Sequence, residues 1–199
     1  MTYSNQESSQ AIILTNRTGL TAKFILFDQV LGKIDAIPGN EKTKNSLLRG
    51  GLIEYTRKAW KNIFIITEHQ LILSVAPETN EDMLFLHHWL ETSILFLPYH
   101  QAHIDAYRLL LLIYHVNGFS SIVAKKLVIA RFLTALGIYP SDAYYQTHVF
   151  FNLILIPLET MLKLEDDNNV HNYINSWLQN CLQNHPQTLP IKTLSFLKR

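Results

Sequence analysis

Phe24-Ile-Leu-Phe-Asp-Gln-Val-Leu-Gly-Lys-Ile-Asp-Ala-Ile-Pro38-Gly39 is the stretch that decides the fold. An apolar run of strand length ends at Phe27, and a second run after Gly32 alternates apolar and polar side chains up to Pro38. Two such runs joined by a short segment with glycine predict a β-hairpin, which Pro38 ends because proline cannot donate to a strand ladder. An isolated hairpin is marginal in water, so further strands must complete a sheet around it.

Strand candidates flank this hairpin on both sides, with no helical period among them. They are Gln10–Leu14, Leu52–Thr56, Ile63–Thr67 and Leu71–Val75. The polar, basic segment 39–46 is typical of a loop, and residues 1–9 are expected to form a flexible tail. About six short strands within 76 residues favour a small closed or nearly closed barrel, since closure removes exposed sheet edges.

The pattern changes to helical spacing at Pro77. The first helix is expected to begin at Thr79 or Asn80 and to last until Pro98. Capping and stop signals predict further helices over 101–116, 120–137, from 141 to a kink or end at Pro157, 170–183 and 191–197. We therefore expect an α+β chain with a tail (1–9), a β-barrel domain (10–78) and an α-helical domain (79–199).

Composition restricts the possible functions. The net charge of +1 and pI of about 7.9 indicate no nucleic-acid partner for the chain as a whole, so any basic surface must be local. Cys181 is the single cysteine, which excludes an intramolecular disulfide and a cysteine-rich zinc site. The polar N-terminal residues do not resemble a signal peptide, and no apolar run approaches the roughly 18 residues of a membrane span, so we expect a cytoplasmic protein.

Basic residues concentrate between positions 42 and 61, where six cations oppose the single carboxylate of Glu54 and give a net charge of +5. The rings of Tyr55, Trp60 and Phe64 are interleaved with them. Cations for phosphates beside rings for bases are what single-strand binding requires. The predicted nucleic-acid-binding residues are Lys33, Lys42, Lys44, Arg49, Arg57, Lys58 and Lys61. The alternative is a solvated strand face, with Trp60 and Phe64 filling the barrel.

The sequence carries no recognisable catalytic motif. It lacks a Gly-x-Ser-x-Gly elbow, a phosphate-binding glycine loop and a dinucleotide-binding glycine run, so we expect no enzyme activity and no cofactor. Nine histidines include the pairs His87-His88 and His100-x-x-His103. These lack a His-Glu-x-x-His pattern and cysteine partners, so a histidine metal enzyme is a less favoured alternative and a metal-free protein is predicted.

Three stretches, taken in order, resemble the RecO family of bacterial DNA-repair proteins. The first is Ala11-Ile-Ile-Leu14 with the hairpin and its Pro38-Gly39 exit. The second, Leu127–Pro140, is similar to the family's central helix, which ends in Leu-Gly, an apolar or aromatic residue and Pro. The third, Ile191–Leu197, looks like the family's C-terminal ending.

This resemblance implies an N-terminal OB-fold, a helical domain and a role as a recombination mediator. Such a protein binds single-stranded DNA, promotes strand annealing and, with a RecR partner, loads the recombinase RecA. Two features depart from the family: segment 142–163 lacks the four zinc-binding cysteines that many members carry, and the 40s segment is less basic than usual. The implied protein is a zinc-less variant, bacterial, cytoplasmic and associated with the nucleoid during repair.

The resemblance also implies a partner site on the helical domain for the acidic, hydrophobic-ended tail of single-stranded DNA-binding protein. A receptor for such a tail needs cations beside an apolar slot. The predicted residues are Arg108, Lys125, Lys126, Leu127, Arg131 and Phe132. From the residues alone these are solvated charges on helices, and a protein–protein adaptor that has lost DNA binding is the alternative function.

Overall fold

The computed structural model describes residues 7–17, 22–115, 121–140, 148–161 and 163–183. The chain is α+β, as predicted, with an N-terminal five-stranded sheet followed by helices. The strands are β1 (Glu7–Arg17), β2 (Lys23–Asp28), β3 (Gly32–Pro38), β4 (Gly51–Trp60) and β5 (Ile63–Ser74), and the short helix α1 (Glu41–Ser46) lies between β3 and β4.

The strand pairing closes on itself in the order β1-β2-β3-β5-β4, which makes a closed barrel. All pairs are antiparallel except β3 and β5, which run parallel and pair Ala36 with Phe64 through Pro38 with Ile66. The ring is completed where β1 pairs with β4, from Glu7 opposite Arg57 onward. We call this sheet the barrel below.

The predicted hairpin is confirmed as β2 and β3, which pair from Phe24 opposite Ala36 to Asp28 opposite Gly32. Successive strand side chains point to opposite faces, so alternate residues of each strand reach the barrel interior. The interior cluster consists of Ala11, Ile13, Phe24, Leu26, Ile34, Ala36, Leu47, Ile53, Tyr55 and Ile66. Val30, which extends the apolar pattern in sequence, instead lies exposed in the turn.

The outer face of β2 is also buried, which explains why β2 shows no alternation. Phe27 on this face and Lys33 on the adjoining strand are covered by the segment Phe96–Tyr107, called the strap below. The Phe27 ring meets Tyr107 edge-on with centroids 5.5 Å apart. Beside Phe27, the Lys33 ammonium lies 4.2 Å from the centroid of the Tyr99 ring, and the Lys33 carbonyl accepts a 2.9 Å hydrogen bond from the His100 amide.

The helices of the second half are α2 (Asn80–Phe96), α3 (Ile104–His115), α4 (Ile122–Ala135), α5 (His148–Leu155), α6 (Leu158–Met161) and α7 (Asn168–Gln183). Local signals set their ends as predicted. The Thr79 hydroxyl accepts from the Asp82 amide at 3.0 Å, and that of Ser121 accepts from the Ala124 amide at 3.1 Å. Gly137, with φ +74°, follows the end of α4. Helix α4 packs against α5, α6 and α7.

Three expectations for the first half were wrong. Segment 39–46 is not a loop but contains α1, whose N-cap Asn40 accepts a 2.8 Å hydrogen bond from the Thr43 amide. A helix of six residues is too short to show a helical spacing of apolar residues in the sequence. The predicted strands Ile63–Thr67 and Leu71–Val75 are one strand, because the polar residues between them still pair with β4. Residues 7–9 of the predicted tail belong to β1.

By its contacts the chain divides into two compact units. The first comprises the described residues up to Ala76 together with Phe96–Tyr107, and the second those of Pro77–Leu95 and from Arg108 on. The strap therefore belongs with the strands, although it follows α2 in sequence. The predicted domain limits, 10–78 and 79–199, stay a prediction, and the predicted helix 191–197 lies outside the described residues.

None of the helices that the structure describes combines the length and apolarity required to cross a bilayer.

Two glycines with nearly equal φ provide a matched test of the strap. Gly32 (φ +75°) lies under the strap, where an added Cβ would come within 1.9 Å of the Gln101 carbonyl oxygen, whereas a Cβ on Gly137 (φ +74°) meets nothing within 4 Å. Gly137→Ala should cost ~1–2 kcal/mol of unfolding free energy, the penalty of left-handed backbone. Gly32→Ala should cost a further ~1–3 kcal/mol, because the strap must shift. Urea denaturation measures both, and equal decreases would contradict the close packing of the strap.

Candidate nucleic-acid interface

The inside of the barrel holds a buried ion pair. Asp28 is fully buried, and its Oδ2 accepts hydrogen bonds from the Tyr55 hydroxyl at 2.6 Å and from Arg57 Nη1 at 3.0 Å. Its Oδ1 accepts from the amides of Val30 and Leu31 at 2.8 and 2.7 Å. Burial and the nearby Asp28 carboxylate raise the pKa of Tyr55 above its usual range, so the phenol stays a donor.

Arg57 points into the barrel interior because side chains alternate between the two faces along β4. Ile53, Tyr55 and Arg57 are buried, whereas Glu54 and Lys58 between and after them are exposed. The placement of Arg57 on a phosphate-binding surface is therefore not supported: its side chain is 6% exposed and paired with Asp28. Asp28 itself is not among the site residues predicted from the sequence. Its place in the turn gives a local signal, because Asp caps turn amides, but its pairing with β4 has none.

Lys33 is the second predicted phosphate ligand that the structure buries. It is 5% exposed and sits beneath the strap with its ammonium over Tyr99. Burial lowers the pKa of Lys33, although the charge of Asp35 opposes that effect. This lysine is placed to hold the strap against β3.

The other predicted cations lie on the exterior of the first unit. Lys42 and Lys44 are on α1, where Lys44 pairs with Glu41 at 3.3 Å across one helical turn. Such an exposed pair contributes little stability and dissociates readily in favour of another anion. Arg49 is exposed and donates from Nε to the Leu14 carbonyl at 3.1 Å. Lys42 also helps to lower the pKa of His69 on β5, after the larger effect of burial.

The end of β4 and the turn that follows it carry the remaining two cations. We call residues 58–62 the β4–β5 tip. Lys58 and Lys61 are exposed, and the Lys61 ammonium lies 5.1 Å from the centroid of the Trp60 ring. Trp60 is 49% exposed, so it does not fill the barrel. Of the two other rings named from the sequence, Tyr55 is buried and Phe64 packs against the interior cluster.

A polar groove with two carboxylates adjoins this basic region. It is lined by Ser8, Glu54, Tyr55, Thr56, Glu68, His69 and Gln70. The Ser8 hydroxyl donates to Glu54 at 3.3 Å. Carboxylates repel a phosphate backbone, so the groove does not extend the anion-binding surface of the barrel.

In the second unit, Lys125 is an internal ion-pair partner. It is 4% exposed and its ammonium lies 2.6 Å from Glu81 Oε1 and 2.9 Å from Asp82 Oδ1. Burial alone would lower the pKa of Lys125, but the hydrogen bonds and charges of the two carboxylates outweigh it and raise the pKa. This lysine ties α4 to the first turn of α2.

Lys126 points to a different neighbour. It is fully buried, with its ammonium 2.6 Å from His171 Nε2 and 2.6 Å from Asn175 Oδ1 on α7. Burial lowers the pKa of Lys126 to about 8, against the opposing charges of Glu81 and Asp166. The pKa of His171 is also lowered, chiefly by burial and further by the nearby charge of Lys126.

The remaining predicted partner residues do not form an exposed slot. Leu127 and Phe132 are fully buried, and Arg131 is half-buried with its guanidinium donating to the Ile156 carbonyl at 2.8 Å. Arg108 on α3 is exposed. The predicted cations and apolar residues of α4 are therefore used within the unit, because each faces a packed helix that the linear sequence could not identify.

The described residues also bear on metal binding and on nucleophilic chemistry. Within the described ranges no three His, Cys, Asp or Glu side chains are grouped to hold a metal ion. Burial raises the pKa of Cys181 above its usual range, which keeps the thiol protonated. The predictions of a metal-free protein without enzyme activity stay predictions.

Comparison with known proteins adds no assignment. No protein-family model matches the sequence, and no curated protein is significantly similar to it.

The contrast between neighbouring cations of β4 yields a stability prediction. Arg57→Ala leaves the buried Asp28 carboxylate without its ion-pair partner and should lower the unfolding free energy by ~3–5 kcal/mol. Lys58→Ala removes an exposed cation and should change it by no more than ~0.5 kcal/mol. Urea denaturation of both variants is the measurement. Similar decreases for the two would show that Arg57 is not the structural member of the pair.

Lys126 predicts a pH dependence of stability. Its pKa is about 8 in the folded protein against 10.5 ordinarily, so between these values the unfolded chain binds the proton more tightly. Folding therefore becomes more favourable as pH rises through that window. Below about pH 8 Lys126 is charged in both states, and the cost of burying its ammonium is complete. Wild-type stability, relative to that of Lys126→Met, should increase from pH 8 to 10.5. Lys125→Met is the control, since the pKa of Lys125 is raised from 10.5 and its contribution to stability is lost only above that pH, so wild type and Lys125→Met should have nearly parallel profiles from pH 8 to 10.5. Parallel profiles for wild type and Lys126→Met would refute the effect.

Proposed function

We propose that this protein is a RecO-like recombination mediator that binds single-stranded DNA through an OB-fold. The fold part of the proposal is supported by the closed strand order β1-β2-β3-β5-β4, with α1 between β3 and β4. OB-folds are five-stranded Greek-key barrels that bind oligonucleotides. The helices that follow agree with the second domain implied by the resemblance.

The observation that carries the binding function is the exposed basic surface of the first unit. Its cations are Lys42 and the half-buried Lys44 on α1, Arg49 after it, and Lys58 and Lys61 at the β4–β5 tip. The exposed ring of Trp60 lies beside Lys61. Lysines attract the phosphate backbone by releasing its counterions, and a ring accepts a base exposed in a single strand.

The proposed mechanism is binding without bond chemistry. The basic surface holds one strand by its phosphates while its bases stay available for pairing with a complementary strand. Displacing or bridging single-stranded DNA-binding protein then promotes annealing and, with a RecR-like partner, loading of RecA in the bacterial cytoplasm at the nucleoid. The acidic tail of single-stranded DNA-binding protein would bind the helical unit, where Arg108 is the exposed member of the predicted set.

A protein–protein adaptor without DNA binding is the second candidate. It is favoured by the burial of Lys33 and Arg57, which leaves four exposed cations and the half-buried Lys44 of seven predicted phosphate ligands. The carboxylates of Glu54 and Glu68 in the adjoining groove act in the same direction. The two candidates differ in whether the protein binds DNA in a salt-dependent manner.

Salt-dependent binding to a fluorescently labelled oligo-dT tests the proposal. Wild-type affinity should fall linearly with salt on logarithmic axes, and the double variant Lys42→Ala, Lys44→Ala should flatten that slope by about 1.4, or about 0.7 for each phosphate that is no longer neutralised. Lys163→Ala, which removes an exposed lysine of the second unit, should leave the slope unchanged. Fluorescence anisotropy gives all three slopes. No measurable binding at low salt would favour the adaptor.

A further inference from the structure

Trp60 differs from the two other tryptophans of the chain. Trp89 is fully buried and Trp177 is 2% exposed, whereas Trp60 leaves 49% of its surface in solvent at the end of β4. A large ring exposed in this way contributes little to the core. It forms part of a tip whose five residues include two lysines and no carboxylate.

The charges of the tip are arranged around this ring. Lys58 and Trp60, two residues apart on one strand, lie on the same face of β4. Lys61 holds its ammonium 5.1 Å from the ring centroid, from a backbone position with φ +54° that non-glycine residues seldom adopt. One cation thus lies against a planar apolar surface, and a second lies on the same face of the strand.

The strap covers part of another surface of the barrel that could bind a strand of nucleic acid. OB-folds bind oligonucleotides on the face of strands 2 and 3 and on the flanking loops, including the one between strands 4 and 5. Here the strap occupies part of that face, with Phe27 against Tyr107 and Lys33 under Tyr99. The pairing of Ala36 with Phe64 places the start of β5, and with it the β4–β5 tip, beside the last residues of β3, whereas the covered Lys33 lies near its start.

We infer that Trp60 is a stacking platform for an unpaired nucleobase, with Lys58 and Lys61 binding the flanking phosphates. The inference rests on the proposed function and specifies its ligand: a single strand in preference to a duplex, with little dependence on sequence. Bases in a duplex stack on each other and offer no face to the ring, whereas every unpaired base has one.

The test compares two ligands of equal length and charge: oligo-dT and an abasic sugar–phosphate strand. Trp60→Ala should weaken oligo-dT binding roughly 5- to 150-fold, as expected for one stacked base, without changing the salt slope. It should leave abasic-strand affinity unchanged. Trp60→Phe keeps a ring and should retain most of the wild-type affinity for oligo-dT.

Intrinsic fluorescence provides an independent readout. Oligo-dT should quench the emission of wild-type protein through Trp60, and the quenching should disappear in Trp60→Phe, where only the buried Trp89 and Trp177 emit. The abasic strand should quench neither protein. Urea denaturation of the variants establishes that each is folded. We expect both to be folded, because Trp60 is exposed and its replacement leaves the core unchanged.

The outcomes separate this inference from the proposed function. If wild type and Trp60→Ala bind oligo-dT equally well, stacking on Trp60 is refuted and DNA binding stands. If wild type binds duplex DNA more tightly than oligo-dT, the single-strand preference is refuted. If wild type binds neither oligo-dT, nor the abasic strand, nor duplex DNA at any salt concentration, the proposed function is refuted and this inference with it.

Discussion

The buried carboxylate of Asp28 is the constraint on which the first unit depends. It accepts two hydrogen bonds from amides of its own turn and two from the side chains of Tyr55 and Arg57. Strands β2 and β4 are not neighbours in the barrel, so these bonds cross its interior. A buried charge is tolerated only where such partners satisfy it. The same contacts therefore shape the hairpin turn, fix the inward face of β4 and withdraw one cation from the exterior.

The second unit uses buried lysines in a comparable way. Lys125 and Lys126 are adjacent on α4 but point to different helices, the first to carboxylates at the start of α2 and the second to His171 and Asn175 on α7. One pair of consecutive residues thus connects three helices. Burial lowers the pKa of both lysines, but the hydrogen bonds and charges of two carboxylates outweigh burial only at Lys125, so the two pKa shifts are opposite.

Much of the fold could be predicted because its signals are local. The hairpin follows from the two runs around Gly32, and α2 and α4 begin at Thr79 and Ser121, whose hydroxyls cap them. The destinations of the charged side chains could not be predicted. Arg57 and Asp28 are 29 positions apart, so no local pattern relates them. Of the candidate interface, Lys42, Lys58 and Lys61 are exposed, which a binding role requires, whereas the burial of Lys33 could not be predicted without knowledge of the strap.

The strap also determines which segments of the chain must be kept together when the first unit is transferred to another protein. Its residues follow α2 in sequence yet cover side chains of β2 and β3, so the first unit is encoded in two separate stretches. A fragment ending at Ala76 would expose Phe27 and Lys33, two side chains that normally lie beneath Tyr107 and Tyr99. A substitution in either stretch must therefore be compatible with the other, and a chimaera that exchanges the strands between relatives must exchange Phe96–Tyr107 with them.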